Sequence, residues 1–305
     1  MTPSPVSDDS ADVTADAAVR RRLHAIAYRM TGSQHDAEDV VQEGLARWHQ
    51  LTEDERALVR QPLAWLTRVV SRLCLDQLRS ARAQREHYRG IWLPEPQLGD
   101  SVFAPADPAD PADRVTLDDS VSYAFLVALE KLTPAERVSF ILHDVFGVPF
   151  AEIAGTVGRS SAACRQLAVT ARAHLAAEPR FDVAGAERDR VVAVFLDACR
   201  GGDLRDLVAV LDPNVVSVAD GGEQIRVARR PVVGAEAVAT YLLGVLAAQG
   251  RQVTLSLEQI NGRAGIAVHD STGLLGAVDL VVIGGRVARI AIQVNPEKLN
   301  AQVDD

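Results

Sequence analysis

The sequence predicts a multidomain chain, two all-α domains followed by an α+β domain, from three observations. Apolar residues recur with helical spacing over residues 15–90 and again over 116–180. Between them, residues 91–113 hold five prolines (Pro94, Pro96, Pro105, Pro108, Pro111) and five acidic residues (Glu95, Asp100, Asp107, Asp110, Asp113), a composition that disfavours helix and keeps a chain extended. Beyond residue 187, two helical stretches give way to short β-like runs separated by Gly-containing turns, Asn261-Gly262 and Gly284-Gly285 among them. The expected order is a helical domain (15–90), a linker (91–115), a second helical domain (116–180) and an α+β domain (187–305).

Composition narrows the class of protein. The chain has 305 residues, 48% of them apolar, with a formal net charge of −9. That balance speaks against coating nucleic acid through bulk charge but leaves room for local basic patches. Cys74, Cys164 and Cys199 lie far apart without metal-site spacing, so neither a disulfide framework nor a zinc site is expected, and a reducing cytoplasm is the natural setting. The Ser/Asp/Pro/Ala-rich stretch 1–16 has no apolar segment of the kind a secretory signal carries. Residues 1–12 read as a disordered tail, no run is long enough to span a bilayer, and no membrane association is expected. No cofactor and no metal are expected.

Residues 36–43 read as a helix with two faces. Ala37, Val40, Val41, Gly44, Leu45 and Trp48 follow the i, i+3, i+4, i+7, i+8 series of a buried stripe. Asp36, Glu38, Asp39, Gln42 and Glu43 make the other side acidic. Ser33 is placed to cap the helix and Gly32 to turn the chain before it. Such a face is either solvated or a dock for a basic partner.

Pro62 is suited to the first position of the next helix. Along it Leu63, Leu66, Val70 and Leu73 fall near one side, and Trp65, Arg68, Arg72 and Arg79 on another, with Arg82, Arg85 and Arg89 following beside His87 and Tyr88. Guanidinium groups with aromatic neighbours suit phosphate contact and stacking on an unpaired base. A solvated basic face with Trp65 half in the core accounts for the pattern equally well.

Residues 149–175 have helix-turn-helix spacing. Phe150, Ile153, Ala154 and Val157 form a short amphipathic helix, Gly158 permits the turn, and Ser160 can cap a second helix with Cys164, Leu167, Ala168, Ala171 and Leu175 as its buried stripe. Arg159, Ser160, Ser161, Arg165, Gln166 and Arg172 remain outside, offering donors to base edges and phosphates in a major groove. Residues 126–145 are the expected supporting helices. Duplex DNA binding is favoured over a generic helical hairpin.

In this order the parts resemble the extracytoplasmic-function (ECF) sigma factors of bacterial RNA polymerase, over about residues 15–177. Asp36-Ala37-Glu38-Asp39-Val40-Val41-Gln42-Glu43 is similar to the region 2 helix that docks on the polymerase β′ clamp. Pro62-Leu63-Ala64-Trp65-Leu66 through Asp76-Gln77-Leu78-Arg79 is similar to the segment that melts and reads the −10 element. Leu132-Thr133-Pro134-Ala135-Glu136-Arg137 and the helix-turn-helix resemble region 4, which reads the −35 element. Thr170 and Ala173 stand where arginines are common in that helix.

Trp92-Leu93-Pro94-Glu95-Pro96 further resembles a motif of the SigJ-like subgroup, whose members carry a SnoaL-like C-terminal domain. Asp220-Gly221-Gly222 and Asn295-Pro296-Glu297-Lys298-Leu299 resemble that subgroup's two C-terminal motifs. Glu223-Gln224 replaces a usual Gly-Lys, and Glu297 a usual Asp. The resemblance implies two sigma domains and an α+β SnoaL-like cone. It implies core RNA polymerase (β′ clamp and β subunit) and promoter DNA as partners, and a C-terminal domain that packs on the sigma domains and modulates them. Trp92, Pro94, Glu95, Asp220, Gly221, Gly222, Asn295, Pro296, Glu297, Lys298 and Leu299 become regulatory candidates.

Two rivals remain from the residues themselves. A ligand-responsive helix-turn-helix regulator leaves the acidic and Trp/Arg helices unexplained. A SnoaL-type enzyme with a DNA-binding fusion needs convergent titratable groups in a pocket. His269, Asp270 and Asp279 are the nearest candidates, although His269-Asp270 precedes Ser271-Thr272-Gly273 and reads more simply as a turn. No catalytic residue is assigned.

Overall fold

The computed structural model describes residues 13–14, 16–85, 88, 90–99, 122–176, 185–249 and 253–299, with only the backbone of 82–85 and 249. The expected tail 1–12, the linker beyond Gly99 and the side chain of Arg82 lie outside the described residues. The described residues group into two compact units, one drawn from 1–79 and 134–168, the other from 80–133 and 169–305.

The first unit is helical. Its elements are α1 (Ala17–Thr31), α2 (Gln34–Gln50), α3 (Glu53–Leu58), most of α4 (Pro62–Arg85), then α6 (Pro134–Phe140), α7 (Phe150–Val157) and the first half of α8 (Ser161–Ala176). Local chemistry sets the boundaries. Gly32 takes a left-handed conformation (φ 72°) and its N–H returns to Tyr28 O, ending α1. Ser33 Oγ accepts from Asp36 N at 3.1 Å, starting α2 as the sequence leads one to expect. Thr52 and Glu55 form a capping box at α3. Leu23, Ile26, Tyr28, Leu66, Val70, Ile141 and Ile153 are buried with almost no exposure. Buried Arg137 donates from Nη1 to Met30 O at 2.9 Å, tying α6 to the end of α1.

The expected supporting helices over 126–145 are broken into pieces. α5 (Tyr123–Leu129) stops before Pro134, and α6 runs into a π-helical turn, Ile141–Val145. Gly147 N–H and Phe146 N–H close that turn on His143 O and Ile141 O.

The second unit is the α+β domain. After α9 (Gly185–Gly201) and α10 (Leu204–Val210) come β1 (Leu211–Asp220), β2 (Val232–Val233), α11 (Ala235–Gln249), β3 (Thr254–Ile260), β4 (Arg263–Asp270), β5 (Gly273–Ile283), β6 (Arg286–Gln293) and α12 (Pro296–Leu299). The sheet order is β2-β1-β6-β5-β4-β3, with β1 parallel to β6 and the other neighbours antiparallel. β3 to β6 fall in the expected β-like runs around Asn261-Gly262 and Gly284-Gly285, whereas β1 lies outside them. Successive strand residues point to opposite faces. One face, with Val278, Leu280 and Ile290, buries Val192, Phe195 and Leu196 of α9 and Val238 and Ala239 of α11 as an apolar core. The other, with Ala277 and Ala291, packs Leu93, Tyr123 and Leu299.

Leu93 shows that the linker is not a free spacer at its start. Residues 91–99 are extended, as their prolines demand, yet Leu93 is 1% exposed and Leu98 bridges Ile260 on the edge of β3. Gly99 N–H donates to Gln259 O at 3.0 Å and Asn261 N–H to Gln97 O at 2.7 Å. Among the described residues, no helix is long and apolar enough to cross a membrane.

Candidate functional site

The acidic face of α2 is built as its periodicity requires. Ala37, Val40, Val41, Gly44 and Trp48 are buried, while Glu38, Asp39, Gln42 and Glu43 are exposed and Asp36 is half-buried. Asp39 lies 3.6 Å from His35 and Glu43 2.9 Å from Arg47, both on exposed i, i+4 steps. Pairs of this kind contribute little to stability.

On α4, Arg68, Arg72 and Arg79 are exposed, Arg79 pairing with Asp76 at 3.3 Å. Trp65 is half-buried, its ring 5.4 Å from that of Trp48 in an edge arrangement. Trp65 and Arg68 line a cavity of about 530 Å³ whose other wall is Leu142, Val148, Ala151 and Glu152. The α4 face and the start of the helix-turn-helix therefore stand opposite each other within one compact unit.

In the helix-turn-helix, Gly158 is left-handed (φ 72°) and Ser160 Oγ accepts from Ala163 N at 3.2 Å, capping α8. Cys164, Ala168 and Ala171 are buried. Arg159, Ser160, Arg165, Gln166 and Arg172 are exposed and Ser161 half-buried. The Arg165 guanidinium lies 5.5 Å over the Phe150 ring, which steadies it without burying it.

The third grouping brings together segments far apart in sequence. Asp220, at the end of β1, is wholly buried; Lys298, on α12, is nearly so, and its Nζ lies 2.7 Å from Asp220 Oδ2. Leu93 N–H donates to the same oxygen at 2.8 Å, and Lys298 Nζ also donates to Leu93 O at 2.6 Å. Lys298 Nζ sits 3.9 Å from the centre of the Trp92 ring. Tyr88 O–H donates to Asp220 Oδ1, and Gly222 N–H joins it at 3.0 Å. Burial and the adjoining Asp220 carboxylate push the Tyr88 phenol well above its ordinary pKa. With Gln293 Nε2 also donating to Oδ2 at 3.5 Å, the charge on Asp220 is met by one cation and four further hydrogen bonds, which makes its burial tolerable.

Gly222 (φ 63°) has no room for a side chain: a Cβ would lie 2.6 Å from Asn295 Oδ1. Asn295 caps α12, its Oδ1 accepting from Glu297 N at 3.1 Å, and its Nδ2 donates to Tyr88 Oη at 3.5 Å. Pro94 and Leu299 are buried, and Glu95, Pro296 and exposed Glu297 flank the cluster in sequence. Three groups not assigned from sequence complete it. Gln293, paired with Asp220 across β1 and β6, donates from Nε2 to Pro94 O at 3.0 Å. Tyr123, at the start of α5, donates to Pro94 O at 2.8 Å, and Tyr88, whose sequence position suggests only stacking, donates to Asp220 Oδ1. A polar residue at the end of an apolar strand, just before Asn295-Pro296, was the available signal for Gln293.

The enzymatic candidates are engaged otherwise. Buried Asp279 pairs with Arg188 at 3.0 Å, and burial outweighs the attraction of Arg188 and Arg263, pushing its pKa up to about 6. Asp270 Oδ1 accepts from Thr272 and Gly273 in the turn before β5. His269 faces Glu258 at 3.7 Å, partly exposed.

Comparisons with known proteins place the helical parts of the chain among known families. The family Sigma-70 region 2 matches residues 17–84, and Sigma-70, region 4 matches residues 122–175. The chain is 37% identical over 298 residues to the ECF RNA polymerase sigma factor SigJ of Mycobacterium tuberculosis, covering 94% of this chain and 93% of that one. It is 37% identical over 289 residues to the probable ECF RNA polymerase sigma factor SigI of the same species, covering 92% of each. The crystal structure of M. tuberculosis SigJ superposes with a TM-score of 0.74 at 34% identity, covering 96% of this chain and 100% of that one.

Proposed function

The chain belongs to the ECF RNA polymerase sigma factors, subunits that direct core polymerase to specific promoters, and on that premise we propose how its parts divide the work. The exposed acidic face of α2, from Asp36 to Glu43, docks on the β′ clamp. Trp65, Arg68, Arg72, Arg79 and Arg82 of α4 bind and help open the −10 region. Arg159, Ser160, Ser161, Arg165, Gln166 and Arg172 read the −35 element, and the acidic linker runs through the polymerase along the β subunit. The holoenzyme acts in the cytoplasm, where polymerase and promoters are.

The C-terminal domain, in this reading, is a regulator and not an enzyme. One observation carries it: Trp92-Leu93-Pro94, Asp220-Gly221-Gly222 and Asn295 to Leu299 converge on one buried ion pair, with Tyr88 at its edge. That clasp ties down the first residues of the linker, so releasing it frees chain that the polymerase-bound form uses. The Arg188–Asp279 pair, which engages the buried carboxylate among the enzymatic candidates, supports a non-catalytic role. The groove shared by Trp65 and α7 fits a closed form of the free chain, opened when core polymerase binds.

Reconstitution tests the premise. Chain plus core polymerase should initiate at a defined promoter, whereas the chain alone should bind the same duplex weakly. Tight duplex binding by the chain alone, with no initiation by any reconstituted holoenzyme, would instead establish a helix-turn-helix regulator.

A further inference from the structure

We infer that Arg226, Arg229 and Arg230, on the loop between β1 and β2, form a second, sequence-independent contact with the phosphates of promoter DNA, made by the C-terminal domain. All three are exposed, and among the described residues none has a hydrogen bond or ion pair, including with Glu223 in the same loop. Three unpaired guanidinium groups within five residues stand out in a chain whose net charge is −9.

The loop holds them in place. Ile225 N–H donates to Gly221 O at 2.9 Å, and Gly221 could carry no side chain, since a Cβ would meet Ile225 O at 2.3 Å. Half-buried Val227 packs beside Gly221, Ala228 N–H donates to Tyr241 Oη at 3.3 Å, and Val232 and Val233 pair with β1. The backbone is fixed at its start, middle and end, while the three arginine side chains stay exposed. Its root, Asp220-Gly221-Gly222, belongs to the clasp. Guanidinium groups match phosphate geometry and carry no base information, so the contact strengthens binding at every promoter alike.

This inference rests on promoter binding by the holoenzyme, and salt titration separates the two. Each phosphate contact contributes about 0.9 to the slope of log K against log salt. Holoenzyme with Arg226→Ala, Arg229→Ala and Arg230→Ala together should show a slope smaller by about 2 to 3 than wild type. The corresponding triple lysine variant should keep most of the slope, and a scrambled −35 element should leave the difference intact. An unchanged slope in the alanine variant overturns the inference. So does weaker binding to core polymerase with an unchanged DNA slope, which would place the arginines against the polymerase protein. If wild-type holoenzyme forms no promoter complex at any salt, the premise itself fails.

Discussion

Lys298 Nζ lies 2.7 Å from Asp220 Oδ2 inside the C-terminal domain, joining its last helix to the end of its first strand. Leu93, at the start of the linker, hydrogen bonds to both partners. Removing one partner of such a pair leaves a buried charge alone, which costs about 3–5 kcal/mol. Lys298→Ala should therefore lower the melting temperature of the full chain by roughly 6–12 °C in calorimetry. Lys298→Met paired with Asp220→Asn should recover a large part of the loss, because no charge is then left buried.

Asp279 makes stability fall as pH rises. Its pKa in the folded chain, about 6, exceeds the ordinary 3.8, so the folded state holds the extra proton between those values. The contribution is fully present below about 4 and is lost as pH climbs through about 6. Denaturant midpoints from pH 4 to pH 7 should show this decline, and Asp279→Asn should flatten it. A midpoint that rises through that window in wild type and not in the variant would reverse the sign.

Charge reversal on α2 separates docking from folding. Glu38, Asp39 and Glu43 are exposed, and the pairs to His35 and Arg47 are each worth no more than about 0.5 kcal/mol. Glu38→Lys, Asp39→Lys and Glu43→Lys should leave the unfolding midpoint nearly unchanged while weakening core polymerase binding about tenfold or more, measured by fluorescence anisotropy.

Arg165 is exposed at the first turns of α8 and supported by Phe150. A guanidinium reading a guanine edge discriminates by about 1–3 kcal/mol per base. Arg165→Ala should relax preference at one −35 position in a promoter library, whereas Arg172→Ala should weaken binding evenly across the library.

Much of this arrangement is legible in the chain because it is local. Ser33, Gly158 and Ser160 announce helix ends through caps and turns that depend only on their neighbours, and α2 and α8 follow. β1 is not legible: Asp212-Pro213-Asn214 reads as a turn, and the strand is held by parallel pairing with β6, distant in sequence. The same holds for the clasp. Pro94 and Pro96 announce an extended segment, but its burial depends on Gln293 and Lys298 some two hundred residues later. The family motifs marked Trp92, Asp220 and Lys298, while Gln293, Tyr88 and Tyr123 gain their roles only once the chain is folded.

Promoter-specific transcription by holoenzyme carrying a chain truncated after Val294 tests the regulatory clasp most directly. That truncation removes Asn295 to Leu299, including Lys298, and leaves the strands in place. Compared with the full chain at equal core binding, the account predicts a severalfold rise in transcript; removing everything after residue 186 releases the clasp but also takes away Arg226, Arg229 and Arg230, and should give less transcript than the truncation after Val294. Equal transcript from all three chains would contradict it.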